Sequence, residues 1–400
     1  MMEPQWSPAL PPIAKDQVRN LFTVLWHLAP CSECLDTAVS GKCKTPECST
    51  RMHQSRFSLY MSYYKRLCAS YEPLVMTGHP ALRTHDDIRR VVEHLKAHPD
   101  KTKAEIQKLV FPKPNDPADE SNALNLGVSI AMMLNCGSQE YSSILLEDGC
   151  NRIVWRQGTT LTHYLQLVLP RREALSPRRQ LQQAFLDPSC PLVTAKELKR
   201  RAGTRFRGTD DITNHLRYDA INNVLFVFHH ATILKEHLRL SSRCGSNPSE
   251  LTCLKVGALP RQYALEVLHS SQKILFPLWD SESVTLLQSL VDGAGFDSEI
   301  LNGNDNDFIG DDEEKIDFEY LWPRLSEIYQ EIQNPRPRGW LENWLERRSG
   351  ARYVMLATVA GVAFAVLLGM ASLAVSSYQS YLAYEDFHNN NNKRRGWGNA

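Results

Sequence analysis

The residues best spaced for chemistry are four cysteines near the start of the chain. Cys31, Cys34, Cys43 and Cys48 follow the pattern C-x2-C-x8-C-x4-C, with His27 and His53 to either side. Thiolates hold zinc tetrahedrally, and a C-x2-C pair is the usual half-site for a structural ion. The second half, C-x4-C, is looser, and Gly41 and Pro46 supply turns. The spacing predicts a structural zinc site, with free loop cysteines as the alternative. Catalytic zinc is not expected, because four ligands from one short loop leave no open position. The cysteines at 68, 136, 150, 190, 244 and 253 are scattered and read as interior residues.

A second group is His229, His230 and His237. Adjacent residues of a strand point to opposite faces, so a strand reading sets His229 and His230 apart and argues against a shared metal. The acidic run Asn304 to Asp312 fails as a calcium loop, because aligning Gly310 as the turn glycine puts Ile309 and Ile316 at ligand positions. The chain has no GxxxxGK[ST], GxSxG or HExxH motif, and no GxGxxG with an acidic residue at the right distance. No catalytic or cofactor-binding residue is predicted.

The elements that would carry these residues read as mainly α with a small β component. Leu59 to Tyr71 can be helical. Ile88, Val91, Val92 and Leu95 repeat at helical spacing up to Pro99. Thr102-x-x-Glu105 is a capping box, and Asp116 can cap a third helix reaching about Leu134. Two apolar stretches around Asp148-Gly149 then signal a hairpin. Three helices and a hairpin are the order of a winged helix. A weaker second copy follows, with a helix from Thr194, a strand at Thr204 to Arg207, a short helix at Asp210 to Leu216 and a strand at Asn223 to Phe228. Helices return at Pro260 to Phe276, Ser281 to Val291 and Tyr320 to Ile332.

The 45 basic and 45 acidic residues balance, but unevenly along the chain. Residues 171–207 form a basic stripe and 297–319 an acidic loop, surfaces used separately or against each other. The candidate recognition helix, Pro117 to Leu134, carries Asp119 and Glu120 and no Lys or Arg, so nucleic acid is not the expected partner. Anionic lipid or a protein suits the basic stripe better.

Residues 353–375 contain no charge in 23 positions. As a helix they extend about 34 Å, enough to cross a hydrocarbon core of about 30 Å. Ala357, Gly361, Ala365 and Gly369 recur every four residues, a face on which two such helices can approach closely and self-associate. Trp340 and Trp344, in an amphipathic segment at 339–349, and Tyr353 and Tyr378 suit the interface. Arg336, Arg338, Arg347, Arg348 and Arg352 precede the span, and the first cations after it are Lys393, Arg394 and Arg395. The positive-inside rule then places the N-terminal body in the cytosol. The N-terminus lacks a signal peptide pattern, which makes a tail-anchored topology the expectation.

The segment NPRPRGWLENWLERRSGARYVMLATVAGVAFAVLLGMASLAVSSYQSYLAY resembles the C-terminus of a group of filamentous-fungal membrane proteins without assigned activity. The resemblance continues upstream through LEDGCNRIVWRQ, LVTAKELKRRAG and LFVFHHATILKEH, covering roughly residues 85 to 384. It implies a single-pass membrane protein and brings no catalytic residue. The sequence divides into a cysteine-containing, partly disordered segment at 1–80, a winged-helix-like module at 85–170, a helix and strand module with the basic stripe at 171–240, a helical region at 255–335, a juxtamembrane helix at 339–349, a transmembrane helix at 353–375 and a polar tail at 376–400. The expected function is a non-catalytic interaction or scaffold protein at a membrane. One alternative is an accessory enzyme or regulator tied to a fungal secondary-metabolite gene cluster, and another is a membrane-tethered nucleic-acid-binding module.

Overall fold

In the computed structural model, residues 10–28, 57–73, 79–113, 116–136, 153–171, 193–245, 248–303, 309–310, 316–335 and 352–396 are described. Local signals set most element starts. Thr84 opens α3 (His85–Ala97), its hydroxyl accepting from Asp87 N–H while the Asp87 carboxylate accepts from Thr84 N–H at 2.9 Å. Thr102 and Glu105 form the same reciprocal box at α4 (Lys103–Val110). Asp116 accepts from Ala118 N–H at 2.8 Å at the start of α5 (Pro117–Met132), with proline in the first turn. Before them lie α1 (Lys15–Trp26) and α2 (Ser58–Ala69).

Helix α5 is the centre of this half. Every residue from Ala123 to Met132 is buried. Its Gly127 admits α3 closely, since a Cβ there would lie 2.4 Å from Val91 Cγ1. Tyr60 and Tyr63 of α2 donate from their hydroxyls to the Ile130 and Ser129 carbonyls. Asp119 and Glu120 are buried as well, and Asp119 accepts from Tyr71 O–H and Ala81 N–H. The helix read as a recognition helix is thus a core helix with no free face to lay in a groove. The hairpin that would complete a winged helix falls largely outside the described residues. After it comes α6 (Leu161–Val168).

The next module departs from a second winged helix. Helix α7 (Ala195–Glu197), capped by Thr194, continues as a π-helical turn at Leu198–Ala202. Strands β1 (Arg205–Thr209), β2 (Tyr218–Asp219) and β3 (Val224–Phe228) form one sheet in the order β1-β3-β2. β1 runs parallel to β3 from Arg205↔Val224 to Thr209↔Phe228, whereas β2 is antiparallel to it. β2 and β3 are antiparallel neighbours across the short turn at 220–223, as a wing requires, so the departure lies in β1. Here the link 210–223 carries a 3-10 turn (Ile212–Asn214) and β2, long enough for a crossover that aligns β1 and β3 in parallel.

The rest of the body is helical: α8 (Ala231–Ser242), α9 (Glu250–Lys255), α10 (Arg261–His269) with a π-helical turn at Ser270–Leu275, α11 (Ser281–Ala294) and α12 (Trp322–Gln333). Helix α12 has no side-chain cap of its own. Glu266 of α10 supplies the acceptors instead, taking the N–H groups of Glu319, Tyr320 and Leu321 at 2.7 to 3.2 Å. The chain is mainly α with a small β component, with 64% helix and 5% strand among the described residues. Residues up to Asn334 form one compact unit, so the described parts of 1–80 share the core of the body: Leu21, Phe22, Leu25 and Trp26 of α1 and Tyr60 and Tyr64 of α2 are all buried. Among the described residues, the basic and acidic blocks meet in an ion pair between Arg171 and Glu319.

The second unit, from Pro335, contains the long helix α13 (Arg352–Gly396). Its 45 residues make a rod of about 67 Å, roughly twice a hydrocarbon core. Within it, Thr358–Asn389 is long and apolar enough to cross a membrane and none of its window is buried. The helix does not stop at Val375, so part of the expected polar tail is its continuation.

Candidate functional site

The best-formed polar cluster lies where the two parallel strands end. Asp210 follows the last residue of β1, and His229 and His230 follow the last residue of β3. Because Thr209 pairs with Phe228 in register, the next residues on each strand emerge side by side. Asp210 Oδ1 lies 3.1 Å from His229 Nε2 and 2.7 Å from His230 Nε2. One ligand atom from each of the three falls within 4.8 Å of the others. The expectation that His229 and His230 diverge is therefore corrected. The strand ends at Phe228, so the alternation rule does not apply to them, and the turn into α8 lets both rings face Asp210. The third histidine, His237, sits inside α8, buried and apart from this cluster.

The surroundings hold the cluster in place. Arg66 of α2 donates to the other carboxylate oxygen, Asp210 Oδ2, at 2.7 Å. His229 Nδ1 is buried against Gly208, where a Cβ would come within 2.6 Å of it. Gly208 is thus a position where a side chain and the His229 ring compete for the same volume. Tyr63 and Phe228 lie beside the His230 ring at 5.8 and 5.7 Å between centroids, and Phe296 meets His229 edge-on at 5.5 Å. His230 is 1% exposed, His229 12% and Asp210 34%, so the cluster opens to solvent on the aspartate side.

Burial opposes ionisation of Asp210, but the hydrogen bonds from both histidines outweigh it and hold the carboxyl well below the usual carboxylate range. Burial pushes the His230 pKa down despite the attraction of Asp210, and this favours the neutral ring. A neutral His230 donates from Nε2, since an ionised carboxylate can only accept. Two imidazoles and a carboxylate on one side of a small space are a donor set for a first-row divalent ion. Among the sequence-predicted residues, only the two histidines belong to this cluster. Asp210 carried no signal beyond its position after a short strand.

The other predicted positions are distributed as follows. Cys31, Cys34, Cys43 and Cys48 lie outside the described residues, as do Trp340 and Trp344. Cys68, Cys136, Cys244 and Cys253 are free thiols in the body, three of them buried. Tyr353 and Ala357 fall in α13. Gly361, Ala365, Gly369 and Tyr378 are exposed on α13, and a Cβ at Gly361 or Gly369 would meet nothing within 4 Å. No protein-family model, no curated protein and no solved structure matches the chain.

Proposed function

We propose that the protein is a single-pass membrane-anchored interaction protein whose folded body works at a membrane surface from the cytosolic side. The observation that carries this reading is α13. Val362, Phe364, Val366, Leu367, Leu368, Met370, Leu373 and Val375 each expose more than half of their surface. In water such a surface would aggregate, whereas lipid solvates it at no cost. Tyr378, Tyr381 and Tyr384 follow the apolar stretch on one side of the helix, where amphipathic rings suit the headgroups.

The charge distribution supports this orientation. Five arginines lie between residues 336 and 352, and no Lys or Arg occurs from 353 to 392. With α13 helical to Gly396, Lys393 lies about 27 Å along the axis beyond Val375, remote from the membrane edge. The arginine-rich side is then cytosolic. The stripe Ala357, Gly361, Ala365 and Gly369 is the proposed contact between two copies in the bilayer. A structural zinc at Cys31, Cys34, Cys43 and Cys48 remains part of the reading, with an unidentified protein as the body's partner.

Protease added to sealed microsomes tests the arrangement. The body is expected to be digested and an epitope placed after Ala400 to be protected. A protected body with a digested epitope overturns the orientation, and digestion of both overturns the span.

A further inference from the structure

The Asp210 cluster lies in the folded body, outside α13. We propose that Asp210, His229 and His230 form a binding site for one first-row transition-metal dication, of which zinc is the reference, held by one carboxylate oxygen and two imidazole nitrogens and open to solvent at its remaining positions.

The donor chemistry is the first support. Two neutral imidazoles with a carboxylate suit zinc and its neighbours, whereas calcium and magnesium require oxygen ligands throughout. The spacing is the second. An ion about 2.1 Å from each ligand separates those ligands by about 3.0 to 3.4 Å, for octahedral or tetrahedral angles. The carboxylate-to-imidazole distances here are 3.1 and 2.7 Å, and all three atoms lie within 4.8 Å of one another. Small ring rotations would bring them onto one ion.

The surroundings add a third argument, because they select the ligand atoms. His229 Nδ1 is buried against Gly208, leaving Nε2 as the nitrogen that can reach an ion. Arg66 occupies Asp210 Oδ2, so Oδ1 is the oxygen presented to the rings. Such a partner behind a ligating carboxylate fixes its orientation. The strand register fixes the backbone on both sides. Tyr63, Phe228 and Phe296 wall the buried side, and the partly exposed Asp210 leaves an entry path. Coordination uses the Nε2 lone pair, so each ring binds the ion as the tautomer that carries its proton at Nδ1.

The competing account is a hydrogen-bonded cluster that only ties β1 to the start of α8. The full chain in detergent micelles separates the two. The four N-terminal cysteines are first changed together (Cys31→Ser, Cys34→Ser, Cys43→Ser, Cys48→Ser), so that they contribute no zinc. After chelator treatment and its removal, zinc is titrated calorimetrically, and cobalt is added in parallel to read coordination from its visible absorption. One equivalent of zinc is expected, at a dissociation constant below about 10 μM. The cobalt spectrum should lack thiolate charge transfer. Asp210→Asn, near-isosteric, and His229→Gln, at the more exposed ring, should each weaken zinc at least 100-fold while circular dichroism is unchanged. No zinc binding by the parent chain overturns the proposal whatever the variants do. Binding that survives both substitutions overturns it as well.

Discussion

Replacing Glu266 with alanine should detach the start of α12. The Glu266 carboxylate is 0% exposed and takes three consecutive backbone N–H groups, those of Glu319, Tyr320 and Leu321, with Gln262 Nε2 donating to it at 3.2 Å. A hydrogen bond to a charged acceptor contributes about 1.5–3 kcal/mol, and a buried donor left unpaired costs about 1–3 kcal/mol. Water can enter the space that alanine leaves and recover part of this, so a loss of about 3–5 kcal/mol is expected for Glu266→Ala at pH 8. Glu266→Gln keeps one acceptor oxygen and should lose about 1–3 kcal/mol. The comparison also has a pH signature. Burial pushes the Glu266 carboxyl up to about 7, against the hydrogen bonds that favour its ionised form. Its folded value lies above its unfolded one, so its contribution is complete below about pH 4.5 and is lost as pH rises toward 7. Between pH 5 and pH 8 the parent chain should therefore give up about 2–3 kcal/mol relative to Glu266→Gln, which does not titrate. Denaturant unfolding of the full chain in micelles, followed by tryptophan fluorescence, measures both effects. A loss below about 1 kcal/mol for Glu266→Ala would refute the docking role, because three donors cannot lose a buried carboxylate so cheaply.

Other outcomes follow from the packing. Gly127→Ala places a Cβ 2.4 Å from Val91 Cγ1 and should destabilise by about 1–3 kcal/mol, and a second change, Val91→Ala, should recover part of that loss in the same unfolding assay. Below neutrality the body should unfold readily. Burial holds His215 down to about 3, His237 to about 4 and His269 to about 3. Their unfolded forms take protons near pH 6.5 while the folded forms do not, so each loses up to about 1.4 kcal/mol per pH unit as pH falls toward the folded value. Between pH 6.5 and 4.5 the three together give about 7 kcal/mol of loss, and Glu266 returns about 2 kcal/mol, leaving a net loss of about 5 kcal/mol that a pH titration of unfolding would detect. In α13, Gly361→Ile with Gly369→Ile should reduce crosslinked dimer in membranes severalfold, and an unchanged yield would show that the small-residue face makes no contact.

Parts of this architecture were legible because their signals are local. The box at Thr102, the cap at Thr194 and the stripe Ile88, Val91, Val92 and Leu95 state a helix start and a buried face without tertiary information. Helix α1 carried an equal stripe in Val18, Leu21, Phe22, Leu25 and Trp26, but it lies among prolines that draw attention to breaks. The parallel pairing of β1 with β3 was hidden because register depends on contacts between segments rather than on either strand's own pattern. The Asp210 cluster was hidden for a related reason. Alternation predicts opposite faces only while a strand lasts, and one residue decides whether His229 still belongs to β3. The extension of α13 past Val375 followed a different logic, since Tyr378 to Asn392 contains no proline or glycine to end the helix.

The central claim is that α13 holds this protein in a lipid bilayer, and alkaline carbonate extraction of membranes from cells producing the full chain tests it most directly. The parent chain should stay in the membrane pellet, and a chain carrying Ala363→Arg and Leu367→Arg, two charges near the middle of the apolar stretch, should shift to the supernatant. Release of the parent chain by carbonate, or retention of the doubly charged variant, would contradict the account.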